Sequence, residues 1–285
     1  MVVRILGLCA GALFLLGAGS AQAYCRTHTL DPAASSCPEE CPMNGLALAW
    51  PSPHLEYAFN VDGFPQLADA ELRRLIGQSL ATWENVRCNG ESVGLDSTAA
   101  TQETTLTVGP EEGENREPND NVIVHFSVQE WAAQELPSQA FAITAVWFNS
   151  RNGDILGADM MFNGRMDPFG DCSDNGCTAT DPRTDLRNVA THEFGHFLGL
   201  SHSAVEGSTM WCDADPQEVS KRSLAPDDIA GLCDIYPPGE AFPDARSRSK
   251  GGSCALASGS EAPWSALAVP LLLAWRRRRQ RRRPA

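Results

Sequence analysis

The run His192-Glu193-Phe194-Gly195-His196-Phe197-Leu198-Gly199-Leu200-Ser201-His202 decides how the rest of the chain is read. Residues four apart on an α-helix lie about 40° apart around the axis and about 6 Å apart along it. His192 and His196 therefore present their imidazoles on one side, close enough to share an ion. Glu193 is one step round, too far to bind that ion and well placed to touch a water beside it. Gly199 is expected to end the helix, because glycine accepts the left-handed backbone of a helix C-terminus. The chain then turns back, and His202 arrives from outside the helix. Three neutral imidazoles and one open position form the ligand set of catalytic zinc, whereas structural zinc takes four protein ligands. Such a set implies hydrolysis, with Glu193 as the general base. The plainer reading is a core helix that happens to carry histidines, and the number of fixed offsets argues against it.

This run resembles the extended zinc signature of the metzincin peptidases, in which a third histidine is followed by a methionine turn. The methionine here is Met210, within Ser208-Thr209-Met210-Trp211. The His202-Ser203 pair and its spacing to Met210 resemble the matrixin branch. A second resemblance, to the last matrixin helix, lies in Leu224-Ala225-Pro226-Asp227-Asp228-Ile229-Ala230-Gly231-Leu232, with Ile235-Tyr236 close behind. The likeness spans residues 50 to 237 and is carried mainly by 185 to 236. It implies an α+β zincin/metzincin-like catalytic domain, a twisted mixed five-stranded sheet with three main helices. It also implies roles: His192, His196 and His202 as zinc ligands, Glu193 as base and then acid, and Met210 as an apolar floor that does not bind the metal. The expected activity is a zinc metalloendopeptidase acting on protein or peptide substrates. The alternatives are a zinc hydrolase of cell-wall peptides and an inactive surface-binding module with a retained zinc. Glu193 argues against the last, since a structural metal needs no base beside it.

Residues 1–23 read as an export signal: Arg4, an apolar stretch from Ile5 to Ala18, then Ala21-Gln22-Ala23 as a small-x-small cleavage site. Cysteine usage agrees with export. Cys9 falls in the signal and Cys254 in the tail, leaving Cys25, Cys37, Cys41, Cys88, Cys172, Cys177, Cys212 and Cys233 as an even set. Connectivity is open from spacing alone; a bridge from Cys212 to Cys233 is the favoured expectation, because it would hold the floor of the site.

The 285-residue chain carries a formal charge of −14, and the C-terminal arginines mask a larger asymmetry. Without Arg4, Glu261 and the tail arginines the charge is −21. A domain so acidic is a poor nucleic-acid binder. It is expected to be a monomer.

Residues 24–50, with three cysteines and several prolines, read as a disulfide-tied segment ahead of a catalytic domain at 51–238. No P-R-C-G motif precedes that domain, so the resemblance does not extend to latency by a cysteine that caps the zinc. His28 and His54 read as exposed polar residues. Leu55 to Phe59 alternates as a strand does. Asp69 is expected to cap a helix whose stripe is Leu72, Leu75, Ile76, Leu80 and Trp83. Thr104 to Val108 and the strand Asn121 to Ser127 follow, with His125 in a structural role. Ala140 to Asn149 and Asp154 to Asn163 read as two strands joined by the turn Arg151-Asn152-Gly153. By resemblance the first is an edge strand above the cleft, suited to binding an extended peptide through main-chain hydrogen bonds. Animal matrixins place histidines here for a second, structural zinc. The region of these strands offers none after His125, so one zinc is expected.

The loop 163–184 holds Asp167, Asp171, Asp174 and Asp181 with Cys172 and Cys177. Two readings stand: a calcium (Ca2+) site, and a solvated loop pinned by a disulfide. Asp185 is expected to cap the helix of the histidines.

Residues 239–253 read as a linker. From Cys254 the chain runs through an apolar stretch, Ala262 to Trp275, into arginines 276–279 and 281–283. That order resembles the C-terminal sorting tails of exported myxobacterial proteins. It implies transient contact with membrane or sorting machinery through 254–285, and a cell-surface or extracellular location, outer-membrane anchored through Cys254. A simple anchor helix is the alternative, although the stretch is short for a free-standing span.

Overall fold

Strand β1 (His54–Phe59) begins a five-stranded sheet completed by β2 (Asp96–Ala99), β3 (Val122–Phe126), β4 (Ala142–Phe148) and β5 (Ile155–Asn163). The structure, a computed structural model, describes residues 24–242 apart from 32–36, 107, 110–120, 173–175, 179, 181, 216 and 241. The expected export signal and the segment from Cys254 onward, with Cys9 and Cys254, lie outside the described residues, as does most of the linker.

The strand order is β2-β1-β3-β5-β4. β1 runs parallel to β2 and β3, and β3 parallel to β5; β4 is antiparallel to β5. The sheet is therefore mixed, with β4 at one edge. β3 is buried along its whole length, as a central strand covered on both faces must be. Short α2 (Val128–Ala133), entered through a Ser127/Glu130 capping box, closes one face with a small cluster around Trp131, Val124 and Met161. The larger core on the other face packs against α1 (Asp69–Glu84), α3 (Leu186–Phe197) and α4 (Pro226–Ile235).

α1 buries Leu72, Leu75, Ile76, Leu80 and Trp83, the stripe its spacing predicts. Each such side chain contributes about 1.5–3 kcal/mol by burial. An exposed ion pair such as Arg73–Asp69 contributes at most about 1 kcal/mol. Burial therefore docks the helix. Asp69 is not the cap: that position is Ala68, and Asp69 is the first helical residue, its carboxylate drawn 2.9 Å from Arg73 one turn on.

Among the described residues there are four disulfides: Cys25–Cys41, Cys37–Cys212, Cys88–Cys233 and Cys172–Cys177. The expected Cys212–Cys233 bridge is corrected. Cys212 follows the methionine turn and faces the N-terminal segment, with Cα atoms of Cys37 and Cys212 5.0 Å apart. Cys233 on α4 instead meets Cys88, just beyond α1, at 5.7 Å. Both bridges close long loops, the arrangement in which a crosslink restricts the unfolded chain most.

The N-terminal segment is woven into the domain. Leu48, Ala49 and Trp50 belong to the main core. Trp50 Nε1 donates to the Phe197 carbonyl at 2.7 Å, and Thr27 N to Gly199 O at 2.9 Å. The end of α3 is thus held from the N-terminal side.

Candidate metal centre

α3 starts where Asp185 accepts a hydrogen bond from Asn188 N at 2.8 Å, the expected cap. The same carboxylate accepts from Cys172 N and from the Arg222 guanidinium, whose Nε lies 2.8 Å away. Asp185 is fully buried, so this pairing offsets a desolvation penalty that a lone carboxylate would not survive. The helix ends at Gly199, whose φ of +99° reverses the chain. Leu200 N donates to Gly195 O at 2.9 Å and Gly199 N to His196 O at 3.0 Å, satisfying the last turn. His202 is carried back by that reversal.

The three imidazoles gather. Ring centroids are 4.9 Å apart for His192–His196, 5.3 Å for His192–His202 and 4.8 Å for His196–His202. One nitrogen from each ring lies within 4.8 Å of the others. His192 Nδ1 is 2.6 Å from Thr209 O, and His196 Nδ1 is 3.0 Å from Leu200 O. A carbonyl only accepts, so these Nδ1 atoms carry the protons and the Nε2 lone pairs are left for a ligand. Burial drives both rings neutral. It holds His192 well below the ordinary histidine range, reinforced by the charges of His196 and Lys221, and pushes His196 down to about 4. Neutral, inward-aimed imidazoles are the donor set zinc requires, and the residues fit the ion.

Glu193 is 5% exposed beside this trio. Burial raises its carboxyl to about 7, against the opposing hydrogen bond from Thr144 and the charge of Lys221. A group poised there can take and return a proton near neutrality.

The methionine turn is held from α4. Asp228 accepts from Thr209 N at 2.8 Å, Met210 N at 3.0 Å and Ala225 N at 2.8 Å. Ser203 N, next to His202, donates to Met210 O at 2.8 Å, and Ser203 Oγ to Asp227 at 2.6 Å. Met210 is buried under α3. Asp227 and Asp228, in the stretch that resembles the last matrixin helix, thus anchor the turn and the residue next to the third histidine. Thr144 was not among the expected site residues. Its signal was a lone polar side chain in an otherwise apolar strand.

The other expected residues lie elsewhere. His125 Nε2 sits 3.1 Å from the Asp167 carboxylate, packed against Phe64 and Phe169, a structural histidine. His28 bonds Asp31, while exposed His54 lies between Asp96 and Glu56. In the aspartate loop, Asp171 is shared by Arg74 and Arg222, and Cys172–Cys177 pins the chain. Asp174 and Asp181 fall outside the described residues. Among the described residues, His192, His196 and His202 are the one group of three or more such side chains close enough to share an ion.

An α+β sheet with an edge strand over a helix-borne histidine trio and a methionine turn defines a metzincin-type metalloprotease domain. The matrixin family description matches residues 49–237, and the chain belongs to the matrixin family. Among similar proteins, metalloendoproteinase 1-MMP of Arabidopsis thaliana is 42% identical over 60 residues, covering 21% of this chain and 16% of that protein. Human neutrophil collagenase is 46% identical over 59 residues, 21% of this chain and 13% of the collagenase. Human stromelysin-3 aligns more widely, at 26% identity over 236 residues, 76% of this chain and 41% of stromelysin-3. The chain thus spans less than half the length of these relatives.

Proposed function

We propose that this matrixin is an exported zinc-dependent endopeptidase. The observation that carries the reading is the convergence of three imidazole nitrogens within 4.8 Å of one another, with a carboxylate on the next residue after the first of them. His192, His196 and His202 would hold the zinc. Bound there, zinc supplies Lewis-acid polarisation of a carbonyl and acidifies water. Glu193 accepts the proton of the attacking water and returns it to the departing amine nitrogen, so the proton count closes over one turnover. In this reading β4, the last strand of the sheet among the described residues, lies alongside an extended substrate and aligns one amide across the site.

Four disulfides support an oxidising compartment. Residues 1–23 act in this reading as the export signal, and Cys254 marks the point of processing and attachment at the cell surface. Mass spectrometry that finds unmodified Cys254 joined to an intact tail in the mature protein refutes that part. The catalytic reading is tested by Glu193→Gln. The variant is expected to keep its zinc and its fold and to lose nearly all hydrolysis of denatured casein. Retained hydrolysis overturns the mechanism.

A further inference from the structure

β4 has a polar residue on its inner face. Ala142, Val146 and Phe148 pack with the core beneath α3, while Ile143 and Ala145 turn to the small cluster across the sheet. By the two-residue alternation of a strand, Thr144 belongs with the first set. Its hydroxyl is 2.7 Å from Glu193 Oε2 and 3.2 Å from the Glu193 main-chain carbonyl. Among the described residues no other side chain hydrogen-bonds this carboxylate.

We propose that Thr144 is a positioning residue: it pins Oε2 of Glu193 from the substrate-binding edge strand, leaving Oε1 to face the reacting atoms. A glutamate side chain has three rotatable bonds, and a proton carrier is effective only when its oxygen stays within hydrogen-bond reach of the water it serves. Threonine suits the task because its β-branch restricts χ1, so the hydroxyl direction is set by the strand. A hydroxyl can also donate to a carboxylate and accept from a carboxylic acid, so one residue holds Glu193 on both sides of a proton transfer. The link ties the geometry of the proton carrier to the strand that holds the peptide, and it rests on Glu193 acting as proposed above.

The test compares Thr144→Val, Thr144→Ala and Thr144→Ser in the full chain, on a quenched fluorescent peptide chosen from the cleavage sites of denatured casein. Zinc content and thermal unfolding are recorded for each variant. Thr144→Val and Thr144→Ala are expected to lower kcat about 10- to 100-fold with KM within about twofold, since a well-placed acid–base group contributes about 10²- to 10⁴-fold. Thr144→Ser, which keeps the hydroxyl, is expected to recover most of that loss at unchanged zinc content. A kcat for Thr144→Val within twofold of wild type, or a Thr144→Ser as impaired as Thr144→Val, overturns the proposal. The Glu193→Gln control separates the two failures. If that variant is inactive while Thr144→Val is fully active, only the positioning role falls. If it stays active, the role of Glu193 falls and the proposal with it.

Discussion

Gly195, in the middle of α3, has Met210 directly against its Cα. A methyl group added at Gly195 would run into Met210 Sδ and come within 3.0 Å of Met210 Cε and Trp83 Cζ2. The two unspecified positions inside H-E-x-x-H are therefore unequal here: Phe194 fills core, and Gly195 makes room for the methionine. This close approach is how the floor of the site reaches the underside of the helix that carries His192 and His196.

Gly195→Ala sets two effects against each other. Helix propensity favours alanine by about 1 kcal/mol, and overpacking a closed core costs about 1–3 kcal/mol. Met210 and Trp83 are both almost wholly buried, so overpacking is expected to win. Thermal unfolding should shift downward and zinc should be released at lower chelator concentration. A variant more stable than wild type, with unchanged zinc retention, would show that Met210 gives way freely.

The pair Arg222–Asp185 fixes the start of the same helix. Replacing Arg222 by Met leaves a buried carboxylate without its cation, a change that costs about 3–5 kcal/mol. Urea unfolding of Arg222→Met is expected to show a loss of that order. Adding Asp185→Asn, which keeps an N-cap oxygen while removing the charge, should restore part of it. A double variant less stable than the single one would mean that Asp185 is not the reason Arg222 matters.

Acid acts on the metal-free fold through opposing groups. His192 and His196 are depressed by burial, so the unfolded chain binds their protons first as pH falls below about 6.5. Their contribution is complete above that pH and is lost progressively towards about 4 for His196. Glu193 is raised to about 7, so its contribution is present at low pH and is lost as pH rises from its unfolded range towards neutrality. Two histidines outweigh one glutamate. The chelator-treated protein should gain stability from pH 4.5 to pH 6.5, about the interval those values bound. Denaturant melts across that interval check the sign, and a falling or flat profile contradicts it.

Much of the fold was legible because single periodicities sufficed. The stripe of α1, the β4–β5 pair around Arg151-Asn152-Gly153, and the histidine helix with its cap and its glycine stop each followed from local spacing. β2 was missed. Asp96–Ala99 is polar and half-exposed, an edge strand with no apolar alternation to announce it, and among the described residues of the expected 104–108 segment only Thr104 makes a bridge, to Asn60. Disulfide pairing was illegible for a different reason. Spacing says nothing of which loops the fold brings together, and the segment that meets Cys212 comes from the far end of the chain. The hydroxyl on Glu193 and the carboxylate under the methionine turn also depend on contacts between distant elements. A local pattern marks Thr144 as an oddity in its strand but does not say what it faces.

One zinc held by three imidazoles is what the proposed chemistry requires above all. X-ray absorption at the zinc edge of the purified protein measures this directly. The expected result is one zinc per chain, with three histidine nitrogens at about 2.0–2.1 Å and a further light-atom ligand. A sulfur shell at about 2.3 Å, or a protein that retains no zinc while still cleaving peptides, would contradict it.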